Sequence, residues 1–351
     1  MIILAIETSC DDTSLAVFQD DVLLSMDTKS QIKIHNLTGG VVPEIAAREH
    51  ANVIFDVLDT VLKKANVSLE QIDAIGVTTH PWLIPSLLTW VTLAKTLWKM
   101  LQIPVHEINH IQAHIFANFL ERKESEIVFP LVCLTVSWGH NDIYFMENMW
   151  HMQKIGTSWD DAAGESYDKV AKMMWLWYPG WPIISQYASE YSLWGWNNLF
   201  PRVWLKKDEF DFSFSWLKSS VKREIDSRIE KNLEILKNSD FSNPIYREIF
   251  ECQNNWQKLL TKRDIQEISY EFQNAVNEVL AFKLIQASKE FNTQSILLAG
   301  WVSANDNLRE KISIHADKLW KIFLSPVKKV FCMDNAAMIW ILTYYKIKYN
   351  K

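Results

Sequence analysis

Two histidines stand four residues apart in His110-Ile111-Gln112-Ala113-His114. On a helix that spacing puts both imidazoles on one face, where they reach a single metal ion. Two structural histidines fit the same spacing, so the pair alone leaves both readings open. A zinc protease of the HExxH kind needs Glu beside the first His as general base. Position 111 is Ile, which speaks against that route. Asp334 precedes Asn335-Ala336-Ala337-Met338 at a strand-to-helix junction, the place of an ordinary N-cap or of a third metal ligand. By itself the cap is the better reading. Asp160, Asp161, Glu165 and Asp168 gather four carboxylates within nine residues, either as helix-start charges or as polar contacts to a ribose.

Three further stretches, Ser137-Trp138-Gly139, Gly180-Trp181 and Gly300-Trp301, sit where tight turns belong. Read as glycine pairs, they would point backbone N–H groups at a phosphate. Composition invites that substitution. Glycine ordinarily makes up roughly 7% of a globular chain. Here there are nine glycines and 17 tryptophans in 351 residues, and only the two together reach that share. A non-glycine residue held in a left-handed conformation costs about 1 to 2 kcal/mol, and overpacking a filled site about 1 to 3. Several such sites would rival a domain's whole stability of roughly 5 to 15 kcal/mol. We therefore read many of these tryptophans as UGA codons that the source organism decodes as glycine. The rival reading keeps them as indoles forming aromatic stacking platforms.

The elements that must position these groups alternate between strand and helix. Residues 2–6 and 14–18 are strand-like and flank an acidic turn at 7–13 that contains Asp11 and Asp12. Residues 43–65 carry helical periodicity, 72–78 read as a strand, 83–101 as a helix, and 109–121 as a helix after a short strand. The pattern then restarts, with strands at 131–137 and 142–146 around the turn at 138–139. Helices are expected at 160–174, 181–191 and 264–290, a polar and partly helical stretch at 203–262, a strand at 295–298, and helices from 305 and over 334–345. A repeated strand-turn-strand unit with helices between predicts an internally duplicated α/β chain with a cleft between two lobes, as in the actin, sugar-kinase and heat-shock ATPase (ASKHA) superfamily. The lobes are expected at 1–125 and 126–351, the final helix (about 334–346) packing back on the first.

Bulk properties narrow the function. A net charge of −6 is not that of a chain that binds nucleic acid by charge alone. The clusters Lys206 and Lys207, Lys218, Lys222 and Arg223, Lys328 and Lys329, and Lys346, Lys348 and Lys351 read as solvated surface lysines. Cys10, Cys133, Cys252 and Cys332 form no CxxC pair, which suits a reducing cytoplasm. The strand-like start shows no export leader. Residues 82–101 are apolar but interrupted by Lys95 and Lys99, so a buried helix is expected there and no membrane span.

Taken together, several segments resemble the TsaD family, the tRNA adenosine threonylcarbamoyltransferases. They are residues 6–13, 42–50, 81–83, 109–114, 136–140, 160–169, 178–182, 212–218, 298–305 and 332–338. They run in order along almost the whole chain and thin out from about 225 to 262. In that family the positions of Trp82, Trp90, Trp138, Trp175, Trp181, Trp216 and Trp301 are typically glycine, a support for recoding that is independent of composition.

The resemblance implies a divalent metal held by His110, His114 and Asp334, with Fe(2+) first and Zn or Mn as alternatives. It implies threonylcarbamoyl-AMP in the cleft, contacted by Thr135, Val136, Ser137, Trp138, Gly139, Asp168, Trp181 and Asn305. The threonylcarbamoyl group would pass to N6 of adenosine 37 in tRNAs reading codons that start with A, releasing AMP. Asp11 and Asp12 would orient the incoming amine or take its proton. Partners implied are tRNA, a TsaB-like paralogue and a TsaE-like ATPase. Two other functions compete: a non-catalytic TsaB-like scaffold, which lacks the paired histidines, and a small-molecule kinase of the same superfamily. A decayed copy is disfavoured by the intact Asp168, Asn305 and Asp334.

Overall fold

The computed structural model describes residues 1–38, 40–191, 198–203, 209–237 and 259–351. Lys206, Lys207, Cys252 and much of the polar stretch 203–262 lie outside the described residues. Among the described residues ten strands form two sheets: β1 (Ile2–Glu7), β2 (Asp12–Gln19), β3 (Val22–Ser30), β4 (Ala74–His80) and β5 (Val105–Asn109) in one, β6 (Leu131–Val136), β7 (Asn141–Asn148), β8 (His151–Gly156), β9 (Ser295–Ala299) and β10 (Ile322–Leu324) in the other. The first sheet has the order β3-β2-β1-β4-β5 and the second β10-β9-β6-β7-β8, so one order occurs twice, once from each direction. This is the duplicated α/β, actin-like and sugar-kinase-like arrangement expected from the sequence.

By its internal contacts the chain divides into two compact units. The first comprises Met1–Val128, Leu297–Ala304 and Leu324–Lys351; the second comprises Phe129–Ile296 and Asn305–Phe323. In the first unit, β1 pairs antiparallel with β2 and parallel with β4. The strand residues Ile3, Leu4, Ala5 and Ile6 are wholly buried. Around the sheet stand α1 (Ile32–His35), α2 (Pro43–Ala65), α3 (Ile84–Leu101) and α4 (His110–Phe116). The second unit carries α5 (Ala163–Met173), α6 (Gly180–Ser189), α7 (Ser215–Lys237), α8 (Lys262–Glu290) and α9 (Asp306–Lys318). The last helix, α10 (Ala336–Lys348), belongs to the first unit and packs on β1, β2 and β4. No helix among the described residues is long and apolar enough to cross a membrane.

Several expectations change. Glu7 and Asp12, read as turn residues, are the last residue of β1 and the first of β2. The helix expected over 109–121 stops at Phe116 and continues as a single 3-10 turn at Ala117–Phe119. Strands β3 and β8 have no counterpart in the sequence reading, because both are largely solvent-facing and their apolar alternation is broken. Asp334 is not the N-cap of the final helix. Asn335 takes that place, its Oδ1 accepting the Met338 N–H at 3.1 Å, which leaves the Asp334 carboxylate outside the helix.

Helix ends show one recurring closure. After five described helices the chain turns through a left-handed residue while the next N–H reaches five residues back, the Schellman arrangement that favours Gly or Asn. Three of these residues are Asn66, Asn292 and Asn350, with φ of 55°, 44° and 53°. The other two are Trp175 and Trp320, with φ of 55° and 56°. Leu176 N–H bonds Ala171 O at 2.9 Å after the first, and Lys321 N–H bonds Ala316 O at 3.1 Å after the second.

Candidate active site

The first unit draws the paired histidines and Asp334 together. Helix α4 opens immediately after β5, its N-terminus capped by Asn109, whose Oδ1 accepts the Gln112 N–H at 2.9 Å. That cap fixes His110 in the first turn and puts His114 one turn on. Helix α10 is anchored to the sheet by the Ala336 N–H, which donates to Ser14 Oγ at 3.0 Å, so Asp334 is delivered from the preceding residues. The Asp334 Oδ1 lies 3.1 Å from His114 Nε2 and 3.6 Å from His110 Nε2. The imidazoles are almost perpendicular, 83° apart with centroids 4.5 Å from each other.

Three potential ligand atoms within 4.8 Å of one another form a group that fits a metal ion. Both histidine side chains are 1% exposed, and Asp334 keeps 23% of its side-chain surface. Two imidazoles and one carboxylate, with no fourth protein ligand among the described residues, make an open donor set of the catalytic type. The His114 Nδ1 is buried with no hydrogen-bond partner among the described residues.

Behind His110 lies a residue that the sequence reading did not single out. Glu7, wholly buried, places Oε2 3.2 Å from His110 Nδ1. The same oxygen accepts the Thr78 hydroxyl at 2.5 Å, and Oε1 accepts the Ser9 N–H at 2.7 Å. Ser9 Oγ is itself 3.0 Å from His110 Nδ1. Burial opposes ionisation of all three central groups, but opposite charges outweigh it. Glu7 and Asp334 lie below the usual carboxylate range because of His110, and His110 lies above the usual imidazole value because of Glu7 and then Asp334. His114 goes the other way, lowered by burial and then by the charge of His110. The signal for Glu7 was a carboxylate ending an otherwise apolar strand, IILAIE.

The acidic turn lies in the same unit. His50 of α2 spans it, with Nε2 donating to Cys10 O at 2.9 Å and Nδ1 2.6 Å from Thr13 Oγ1. A carbonyl only accepts, so the ring proton is on Nε2 and Thr13 donates to Nδ1. Asp12 is pushed up to about 7, first by burial and then by Asp11. Asp11 is raised by burial and then by Asp334. The Asp12 Oδ1 is buried without a hydrogen bond among the described residues.

In the second unit, helix α5 links most of the expected substrate residues. Thr135 and Val136 end β6, and the turn after them closes with Ser137 N–H on His140 O at 2.8 Å. The start of α5 abuts this turn: Glu165 N–H donates to Trp138 O at 3.0 Å, and a Cβ on Gly164 would lie 2.6 Å from Ser137 O. Asp168, a turn further along α5, accepts the Gly180 N–H at 2.6 Å and so tethers the start of α6. A Cβ on Gly180 would sit 2.7 Å from Tyr167 O, which makes glycine necessary there. Ser137, Trp138, Gly139, Asp168 and Trp181 thus share one neighbourhood, with the indoles of Trp138 and Trp181 half-buried.

Asn305 is placed differently. It caps α9 through Leu308 N–H at 3.1 Å, and its Nδ2 donates to Gln273 Oε1 at 2.8 Å, so both ends of its side chain are engaged within this unit. The carboxylates at 160 and 161 bind protein. Asp160 accepts from Ser213 Oγ at 2.5 Å and Phe214 N–H at 2.8 Å, and Asp161 pairs with Lys169 at 2.7 Å and Lys218 at 2.5 Å.

A family model described as TsaD, tRNA N6-adenosine threonylcarbamoyltransferase, matches residues 22–341. The chain belongs to the TsaD family. A protein of that enzyme name from Staphylococcus epidermidis (strain RP62A) is 40% identical over 349 residues, covering 98% of this chain and 91% of that one. One from Staphylococcus aureus (strain JH9) is 39% identical over 350 residues, with the same coverage. Among solved structures, full-length HypF in its phosphate- and nucleotide-bound form matches with a TM-score of 0.57 at 12% identity, over 100% of this chain and 47% of that chain. Component A of the Acidaminococcus fermentans (R)-2-hydroxyglutaryl-CoA dehydratase matches with a TM-score of 0.51 at 12% identity, over 99% of both chains. At that identity these two share the fold and nothing more. As a TsaD-family member the chain is a tRNA-modifying transferase.

Proposed function

We propose that this TsaD-family chain transfers the threonylcarbamoyl group from threonylcarbamoyl-AMP to N6 of adenosine 37 in tRNAs reading codons that start with A. The observation that carries this reading is the group of buried His110 and His114 with partly exposed Asp334 in a chain of this family. Those three residues would hold one divalent ion, Fe(2+) before Zn or Mn. The bound ion would act as a Lewis acid, drawing charge from the carbamoyl oxygen so that its carbon accepts a weak amine nucleophile.

The chain's own residues do the rest. Asp12, with its pKa near neutrality, is suited to take the proton that N6 loses, and Asp11 to orient the amine. The Ser137–Gly139 turn offers main-chain groups to the adenylate, together with Thr135, Val136, Asp168 and the residue at 181. Asn305 contributes by closing α9 over its amide network with Gln273 and Asn277. The anticodon loop is single-stranded, so presenting adenine needs little unpairing. With a net charge of −6, recruitment of tRNA relies on partners, a TsaB-like paralogue and a TsaE-like ATPase, in the cytoplasm.

The reading includes the identity of many of the tryptophans: UGA codons decoded as glycine in the natural chain. Its support is local. Trp175 and Trp320 occupy left-handed closures whose other occupants are Asn. Trp90 and Trp340 bury Nε1 without a hydrogen-bond partner among the described residues, at about 1 to 3 kcal/mol each. Trp82 stands edge-on to His110, ring centroids 6.0 Å apart, where glycine would open the approach to the cluster. Mass spectrometry of the protein from its source organism tests this: glycine masses at 82, 175 and 320 are expected, and tryptophan at all three overturns it.

The function is tested by supplying the glycine-containing chain with its partners, tRNA, threonine, bicarbonate and ATP. Threonylcarbamoyladenosine should appear in digested tRNA with the parent chain and not with His110→Ala. No product from either chain would overturn the assignment.

A further inference from the structure

We propose that Glu7 is the positioning residue of the metal cluster: it fixes His110 with its ring proton on Nδ1, so that the Nε2 lone pair faces Asp334. The proposal rests on the metal reading of His110, His114 and Asp334 and deepens it.

The geometry assigns the role by counting donors and acceptors. A neutral imidazole has one N–H, and an ionised carboxylate only accepts. The Glu7 Oε2 stands 3.2 Å from His110 Nδ1, so the proton between them belongs to the ring. Glu7 is itself held on both oxygens, by the Ser9 N–H on Oε1 and the Thr78 hydroxyl on Oε2. Ser9 and Thr78 are wholly buried, as Glu7 is, so no water competes for these positions. In the neutral ring that a metal would bind, Nδ1 keeps the proton toward Glu7 and Nε2 is left as the acceptor. Its nearest charged neighbour, Asp334 Oδ1 at 3.6 Å, is too far for a hydrogen bond. Two acceptors facing each other across that gap are what a cation would join. A carboxylate behind a ligating imidazole fixes its tautomer and raises its basicity.

His114 has no such partner. Its Nδ1 is buried without a hydrogen bond among the described residues. The two imidazoles are therefore unequal: His110 is oriented before any ion arrives, and among the described residues the polar contact that orients His114 is with Asp334 at 3.1 Å. Asp334, partly exposed, is the ligand on the open side.

The test is Co2+ binding to the full chain, followed by the visible d–d spectrum and by competition with a chelator. The parent chain should bind one equivalent, and Glu7→Gln should weaken binding by about 10- to 100-fold. Glu7→Asp, which keeps the charge on a shorter arm, should recover part of the loss. A purely structural role would lower the melting temperature of Glu7→Gln while leaving Co2+ affinity and spectrum unchanged. A folded Glu7→Gln chain that binds Co2+ like the parent overturns the proposal alone. A parent chain that takes up no Co2+ removes the metal reading and the proposal with it. Should Glu7→Gln fail to fold, the parent chain decides. In 15N-histidine-labelled protein loaded with Zn2+, His110, identified by its loss in His110→Gln, should show a protonated Nδ1 and a metal-bound Nε2. A metal-bound Nδ1 overturns the assignment.

Discussion

The cluster of the first unit and the turns of the second are built on opposite principles. Around His110 most orienting contacts are made by side chains: Glu7, Ser9, Thr78, Asn109 and Asp334 act through their own polar atoms or caps, with the Ser9 N–H adding one main-chain donor to Glu7. Around the Ser137–Gly139 turn and the start of α6 the shortest contacts described run from main chain to main chain or from main chain to Asp168. The first arrangement needs particular side chains to be present. The second needs side chains to be absent, as the clashes at Gly164 and Gly180 show. Tryptophan introduced for glycine would therefore leave the His110 cluster assembled and weigh on the second unit's turns.

Removing a metal ligand should have the largest effect and break the comparison outright. Asp334→Asn or His114→Ala should lower threonylcarbamoyl transfer by about 10³-fold or more, on the order of 4 kcal/mol of barrier. The second unit should still melt as before, which differential scanning calorimetry checks. Metal itself comes next. An ion at 100 times its dissociation constant should stabilise the first unit by about 2.7 kcal/mol, and EDTA should remove that increment while leaving the Asp334→Asn chain unmoved.

The tryptophan positions sharpen the comparison at smaller scale. Trp320 is 96% exposed, so Trp320→Gly removes almost no packing and relieves backbone strain alone. A gain of about 1 to 2 kcal/mol is expected, read from denaturant midpoints, and Trp175→Gly should gain less, because the Trp175 side chain is partly buried and its packing is lost with it. The smallest effect is in pH. Folding raises Asp12 from the ordinary 3.8 to about 7. Folding thus favours its protonated form, a contribution to stability that is full below pH 4 and lost as pH rises through about 7. Asp12→Asn should accordingly gain stability relative to the parent chain between pH 4 and 8, measured on metal-free protein. Transfer by the parent should show an acidic limb near pH 7 that Asp12→Asn lacks.

What was legible in the sequence follows the same division. The four-residue spacing of His110 and His114 is a property of helices, so it survived even though α4 is only seven residues long. Asp334 reads from its own residues as a carboxylate at a helix start, better suited to a cap, and only the family resemblance makes it a metal ligand. In the fold Asn335 makes the cap and leaves Asp334 for the histidines. Glu7 was hidden because a strand-end carboxylate looks like the first residue of a turn, and its partners Thr78 and His110 are 71 and 103 positions away. Strands β3 and β8 escaped because edge strands facing solvent lose the alternation that betrays a half-buried one. The duplicated order of the sheets was nevertheless foreseeable, since the strand-turn-strand units repeat in the sequence itself.

The most direct test of the account is to titrate the metal-free chain with Fe(2+) under anaerobic conditions while following threonylcarbamoyladenosine formation in the presence of its partners. The account predicts a rate that rises from near zero and saturates at one equivalent of iron, with no response in the His114→Ala chain. Full transfer by the metal-free chain, or the same saturation after His114 is removed, would contradict it.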